Sequence, residues 1–103
     1  MSPGPVGDKA VLEKILHAAS SQQGALSLAF NQLTALPPQI GQLANLQTLD
    51  LRGNQLTALP AELGDLPETL LLALDGNPLR EPLPQLVERG LRELFAYLRS
   101  LAR

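Results

Sequence analysis

Residues 46–60 read Leu-Gln-Thr-Leu-Asp-Leu-Arg-Gly-Asn-Gln-Leu-Thr-Ala-Leu-Pro, and the pattern of this stretch recurs on both sides of it. Asn31, Asn54 and Asn77 stand 23 residues apart, each at the same place among similarly spaced leucines. After Asn77 the match fades, because Pro82 and Leu83 stand where the earlier units have a Leu-Pro pair. A period of about 20 to 50 residues is typical of stacked repeats, so the chain is predicted to hold two full repeats and a partial third.

Each unit is predicted to begin with a short strand. In residues 49–51, two leucines flank an aspartate, and this alternation is typical of a half-buried strand. The repeat places equivalent strands at residues 25–28 and 71–74, side by side and parallel. Leu-Pro steps at 36–37 and 59–60 then turn the chain back, because proline fixes its own φ and disfavours helix at the preceding residue.

The asparagines Asn31, Asn54 and Asn77 are predicted to be structural. Each follows a strand, where the chain turns and leaves backbone groups without ladder partners. A buried amide side chain can both donate and accept hydrogen bonds at such a turn. We therefore expect the asparagine ladder to be structural and to take no part in chemistry.

Apolar residues at helical spacing predict a helix at each end of the repeats. At the N-terminal end the stripe consists of Val11, Leu12, Ile15, Leu16 and Ala19. Asp8 is the expected N-cap of this helix and Gly24 its expected stop. At the C-terminal end Pro84 suits a first helical turn, and Gly90 is expected to divide the segment in two.

The predicted organisation is a disordered N-terminus at 1–7 and a single domain at 8–103. Within the domain we expect an N-terminal capping helix at 8–23, repeats at 24–82 and C-terminal capping helices at 83–103. The 103 residues include 25 leucines but no cysteine, which excludes thiolate metal sites and cysteine nucleophiles. A net charge of −2 does not favour nucleic acid. No signal peptide or membrane span is recognised, so a cytoplasmic location is expected.

Residues 46–60 closely resemble the leucine-rich repeat in its 23-residue Leu-Pro form, which occurs in bacterial and Ras-group intracellular proteins. Residues 76–79, together with Pro84, Gly90 and residues 97–98, resemble the last repeat and exit helix of bacterial members, including Roco proteins. The resemblance implies an α/β fold, a short right-handed solenoid with a three-stranded parallel sheet capped by a helix at each end. It also implies protein binding on the concave sheet. No Gly-x-x-x-x-Gly-Lys-Ser/Thr sequence occurs, so GTP binding does not carry over.

The repeat register assigns certain side chains to the outward side of the sheet. The candidate partner-binding residues are Ser27, Phe30, Thr48, Asp50, Arg52, Leu71 and Asp75. Phe30 stands where the other units have Gly53 and Gly76, and Leu70 and Leu71 crowd beside the third strand. Two interpretations stay open: either Phe30 and Leu71 pack under the terminal helices, or they form the centre of a surface for a partner or a second copy.

The predicted function is a non-catalytic intracellular protein-interaction module. One alternative is a minimal, self-associating structural solenoid, because fewer than three full repeats make a small core. Another is a reduced or detached repeat domain of a larger signalling protein. No cofactor, metal site or catalytic group is predicted: His17 has no second histidine, Ser20 and Ser21 have no histidine–carboxylate pair, and the acids of residues 62–68 are expected to be solubilising.

Overall fold

The computed structural model of the protein describes residues 7–101. In chain order the elements are helix α1 (Gly7–Ser21), strand β1 (Ala25–Ser27), 3₁₀ helix η1 (Pro38–Gln42), strand β2 (Thr48–Asp50), 3₁₀ helix η2 (Ala61–Asp65), strand β3 (Leu71–Ala73), helix α2 (Leu83–Arg89) and helix α3 (Leu91–Ser100). Six residues of the predicted disordered N-terminus, 1–6, lie outside the described residues, and Gly7 is the first residue of α1. Residues 102–103 of the predicted C-terminal cap also lie outside them.

The three strands form one parallel sheet in the order β1-β2-β3, which confirms the predicted sheet. The register aligns equivalent repeat positions, so that Leu26 lies opposite Leu49, and Leu49 opposite Leu72. The ladder continues past the strands: the Leu28 N–H donates to the Asp50 carbonyl at 2.8 Å. The 23-residue spacing therefore becomes a column of leucines on the inner side of the sheet.

Both 3₁₀ helices begin directly after a proline. Pro37 and Pro60 have extended backbones, with ψ near 150°, and they start η1 and η2. Ile40 and Leu63 then turn inward and are buried with the strand leucines in one hydrophobic core. The Leu-Pro steps thus separate the sheet layer from the 3₁₀ layer, and the core fills the space between them.

Helix α1 packs against η1 through Val11, Ile15 and Ala18, which are buried. The prediction that Leu16 belongs to the apolar stripe is wrong, because its side chain is 44% exposed. An 11-15-18 stripe faces the core instead, and position 16 lies off it. The predicted stop at Gly24 is also wrong: α1 ends at Ser21, where the next residue, Gln22, has a left-handed φ of 54°.

The C-terminal segment forms two helices that meet at Gly90, whose φ of 113° ends α2. Leu94, Phe95 and Leu98 are buried, and α3 packs against η2. Gly64 allows the close approach, since a Cβ there would lie 2.8 Å from the Phe95 carbonyl oxygen. Helix α3 therefore packs on the 3₁₀ layer, and α2 packs on α3.

Among the helices of residues 7–101, none has the length and apolar character needed to cross a membrane.

Candidate interaction surface

The outward side of β1–β3 and the turns that follow these strands form one surface, the sheet face. Its members are Ser27, Phe30, Thr48, Asp50, Arg52, Leu71, Ala73 and Asp75. The parallel register brings these candidates onto one surface, with Thr48 opposite Leu71 and Asp50 opposite both Ser27 and Ala73. Leu70 does not belong to this surface, because it is only 3% exposed and lies in the core.

Phe30 and Leu71 are both highly exposed, at 73% and 70%. The interpretation that Phe30 packs under the N-terminal helix and Leu71 under the C-terminal helix is therefore wrong. The terminal helices pack on η1 and η2, so they do not reach these side chains. The two lie on the first and third repeats, five register positions apart. With strands about 4.8 Å apart and a rise of about 3.3 Å per residue, the Cα atoms of Phe30 and Leu71 are roughly 19 Å apart, at opposite corners of the sheet face.

Phe30 has an unusual backbone conformation. Its φ is 58°, and the equivalent Gly53 and Gly76 have φ of 70° and 79°. Backbone hydrogen bonds between neighbouring repeats impose this geometry. The Phe30 N–H donates to the Arg52 carbonyl, and in the same way the Gly53 N–H donates to the Asp75 carbonyl, each at 2.9 Å. A left-handed backbone costs roughly 1 to 2 kcal/mol for a residue with a Cβ. Phe30 thus keeps an exposed aromatic ring at a position where glycine is favoured.

The Phe30 ring lies directly against the second repeat. A Cβ built on Gly53 would overlap the ring carbons, so only a glycine leaves room for the ring there. The backbone of Gly76 lies next in line, where a Cβ would be 3.3 Å from the Gly53 nitrogen. Gly53 and Gly76 therefore leave a strip without side chains at one end of the sheet face, and the Phe30 ring lies at the first-repeat side of this strip.

Asp50 and Arg52 form a two-pronged ion pair at the centre of the sheet face. The Arg52 Nε and Nη2 groups donate to the Asp50 Oδ1 and Oδ2 atoms, both at 2.8 Å. The Arg52 side-chain hydrogen bonds are the main reason that the pKa of Asp50 lies below its usual value. The same bonds raise the pKa of Arg52, and the Asp75 carboxylate adds a smaller contribution. The guanidinium is thereby held by one of its two acidic neighbours.

A groove of about 440 Å³ runs along the outward side of β2 and β3. Asp50 and Arg52 form one wall, Leu71 and Asp75 stand at its two ends, and the small side chain of Ala73 lies between those ends. Leu71 and Asp75 are four residue steps apart, so at about 3.3 Å per residue the groove is about 13 Å long. One end is apolar and the other is acidic.

The asparagine side chains hold the turns beneath this surface in place. Asn54 is 4% exposed; its Nδ2 donates to the Leu28 and Leu51 carbonyls at 3.0 and 2.9 Å, and its Oδ1 accepts from the N–H groups of Asn31 and Leu33. Asn77 makes a similar but smaller set, whereas the Asn31 side chain, among the residues that the structure describes, bonds to the nearby Ala29 carbonyl alone. The number of inter-repeat bonds therefore depends on having an earlier repeat to bridge.

His17, Ser20 and the acidic side chains of residues 62–68 lie on exposed parts of the chain. His17 is exposed on α1, and the Ser20 hydroxyl donates to the His17 carbonyl at 3.1 Å, a local helix-end bond. Glu62, Asp65 and Glu68 are exposed, and Glu68 approaches Arg99 at 3.9 Å. Across the described residues, no group of three or more His, Cys, Asp or Glu side chains could hold a metal ion.

The sequence model of the leucine rich repeat family matches residues 25–79, which is more than half of the chain. This match, with the parallel strands and the repeated asparagines, identifies the chain as a member of the leucine-rich-repeat family. Members of this family are generally non-enzymatic and serve as protein-interaction modules. A comparison with curated proteins found no match.

Two features of the surface were not inferred from the sequence. One is the left-handed backbone of Phe30, although glycine at both equivalent positions was the signal for it. The other is the groove over Ala73, for which the signal was a small residue placed between Leu71 and Asp75 on the outward side of a strand. In both cases the aligned repeats carry a signal, but the turn conformation and the groove themselves are seen only in the folded structure.

Proposed function

We propose that this protein is a non-catalytic module that binds a protein partner on its sheet face. The supporting observation is the exposure of Phe30 and Leu71 at opposite corners of a surface whose centre is the Asp50–Arg52 pair. Aromatic residues and arginine are enriched in protein interfaces relative to the rest of the surface, and the sheet face exposes one of each, Phe30 and Arg52. Serine and threonine at positions 27 and 48 supply hydrogen-bonding groups between the two corners.

The backbone of Phe30 strengthens the proposal. A strained conformation persists only when the surrounding structure imposes it, and such residues cluster at functional sites. Glycine would satisfy the turn at residue 30 without strain, as it does at residues 53 and 76. An aromatic ring at this position is thus explained by contact with a partner better than by folding.

The test compares capture of partner proteins by four forms of the chain. These are the wild type, the sheet-face variants Phe30→Gly and Leu71→Ser, and a control that carries Leu16→Ser with Leu101→Ser. The control removes two exposed hydrophobic side chains that lie outside the sheet face. We expect a captured protein to be lost with either face variant and kept with the control. Equal capture by all four forms would refute the proposal.

Self-association is the second candidate, favoured by the same exposed pair. A small core can be stabilised by oligomerisation, and two copies could cover Phe30 and Leu71 mutually. Light scattering over a concentration series distinguishes the candidates. A dimer of the wild type that becomes a monomer with Leu71→Ser would favour self-association, whereas a monomer at all concentrations would refute it.

Finer points of the assignment are part of the same proposal. We propose that the repeats form a short solenoid whose ends are capped by α1 and by α2 with α3, and that the sheet face is its concave side. The cytoplasmic location, the bacterial origin and the relation to Ras-group and Roco repeats stay predictions from the sequence. So does the possibility of a reduced or detached domain of a larger signalling protein.

A further inference from the structure

The groove between β2 and β3 has a polarity that specifies what can fill it. Its floor and one end are apolar, formed by Ala73 and Leu71, and its other end carries the exposed carboxylate of Asp75. Arg52 and Asp50 line the side wall. A side chain that lies along this groove therefore meets hydrocarbon first and a carboxylate at its tip.

The charges of the groove are unbalanced. Two carboxylates, those of Asp50 and Asp75, lie near one guanidinium, that of Arg52. Arg52 donates both of its side-chain hydrogen bonds to Asp50. Within the described part of the chain, no side chain forms a hydrogen bond or ion pair with the Asp75 carboxylate. One negative charge is therefore left over at the end of the groove, and a cation from outside the chain is its complement.

From this shape and charge we infer that the groove is a subsite for a lysine or arginine side chain of the protein partner. Lysine and arginine combine a long aliphatic stem with a cationic head, and they bury the stem along apolar surface while the head reaches a polar group. The stem lies over Ala73 and the head binds Asp75. An acidic side chain is disfavoured, because Arg52, the one cation among the described residues that line the groove, is already paired with Asp50. The inference rests on the proposed function, since it names the chemistry of a partner for the sheet face.

The experiment uses a library of random twelve-residue peptides displayed on phage and selected against the immobilised full chain. The enriched peptide is synthesised with a fluorescent label, and its Kd is measured by fluorescence polarisation. We expect enriched sequences to carry a lysine or arginine beside apolar residues. Asp75→Asn should weaken binding about tenfold, because it removes a charge-assisted hydrogen bond. The control Asp65→Asn, an exposed acid on η2, should leave the Kd within about twofold.

A charge exchange tests the contact itself. Asp75→Lys should abolish binding of the selected peptide, and replacing the basic residue of the peptide by glutamate should restore it. Circular dichroism confirms that each variant is folded, which is expected because Asp75 is exposed.

The outcomes separate the two proposals. Peptides that lose binding with Leu71→Ser but are indifferent to Asp75→Asn would overturn the basic subsite and leave the sheet face as the binding surface. Enriched peptides without a basic residue would overturn the subsite in the same way. Binding that survives both Phe30→Gly and Leu71→Ser, or a selection that enriches no peptide, would overturn the sheet face together with its subsite.

Discussion

Replacing Asn54 by leucine should destabilise this protein more than the same change at either of the other ladder asparagines. Leucine has the same number of side-chain heavy atoms as asparagine but cannot donate or accept hydrogen bonds. The change leaves the Leu33 N–H and the Leu28 carbonyl buried without their partner, and it deprives the part-buried Asn31 N–H as well. The Leu51 carbonyl keeps a bond from Asn77 at 2.8 Å and is not orphaned.

The magnitude follows from these groups. Each buried backbone group left unsatisfied costs roughly 1 to 3 kcal/mol, so the two buried groups alone should make the loss at Asn54 about 2 to 6 kcal/mol. A domain of this size has a total stability of roughly 5 to 15 kcal/mol. Asn77→Leu removes the partners of two groups, the Leu56 N–H and the Leu74 carbonyl; both hydrogen bonds are part-buried, so water can replace them more easily, and the change should cost about 1 to 3 kcal/mol. Asn31→Leu removes one local bond and should cost less than either.

Equilibrium unfolding in urea, followed by far-ultraviolet circular dichroism, measures the three variants against the wild type. With an unfolding slope of roughly 1 to 3 kcal/mol per molar urea, a loss of 3 kcal/mol lowers the midpoint by about 1 to 3 M. The expected order of loss is Asn54, then Asn77, then Asn31. A free energy of unfolding for Asn54→Leu within 1 kcal/mol of the wild type, or a larger loss for Asn77→Leu, would refute the stabilising role of the asparagine hydrogen bonds.

Three further predictions concern the core, the strained turn and the central ion pair. Leu51→Ala deletes a fully buried leucine and should lower the free energy of unfolding by about 2 to 5 kcal/mol in urea; an unchanged midpoint would mean that the repeat register is wrong. Phe30→Gly removes a left-handed backbone strain of about 1 to 2 kcal/mol. It also removes the buried part of the ring, about a quarter of roughly 200 Å², which is worth about 1.3 kcal/mol at 25 cal/mol per Å². The two effects nearly cancel, so the urea midpoint should stay close to that of the wild type. A loss above about 2 kcal/mol would show that Phe30 is retained for folding. Arg52→Ala should return the pKa of Asp50 to its ordinary value, measured by a nuclear magnetic resonance titration. Because the pKa of Asp50 is lowered in the folded state, the stability linked to it is present above about pH 4 and is lost as the pH falls through the folded pKa. The stability of the variant should therefore be less sensitive to acid over that range.

Much of the sheet could be predicted because the repeat ties local pattern to global position. Once Leu49 and Leu51 are placed inward, a shift of 23 residues places the leucines of the other strands, and the register pairs them as predicted. The asparagines recur for the same reason. A side-chain period of two allows no slip of one residue without exposing the leucines.

The ends were harder to predict because there the repeat supplies no neighbour. Leu16 matches a helical spacing as well as Ala18 does, and only the position of η1 decides which of them is buried. Gly24 is the stronger helix terminator by composition, yet the chain turns at Gln22, since β1 must start at Ala25 and align with Thr48. Tertiary position outweighed local preference at both sites.

The fate of Phe30 and Leu71 depended on the direction in which the terminal helices pack. Burial by those helices was one open interpretation, but α1 and α3 lie against the 3₁₀ layer and leave the sheet face open. The sequence of a helix reveals its apolar stripe but not which surface of the repeats that stripe covers. The choice between a core role and an interface role therefore required the structure.

Nuclear magnetic resonance mapping of the selected peptide on the ¹⁵N-labelled chain shows which surface binds it. We expect the largest amide shifts at residues 25–30, 48–53 and 71–76, the strands and turns of the sheet face. Shifts confined to η1, η2 or α3 would contradict it, because they would put the binding surface on the opposite layer.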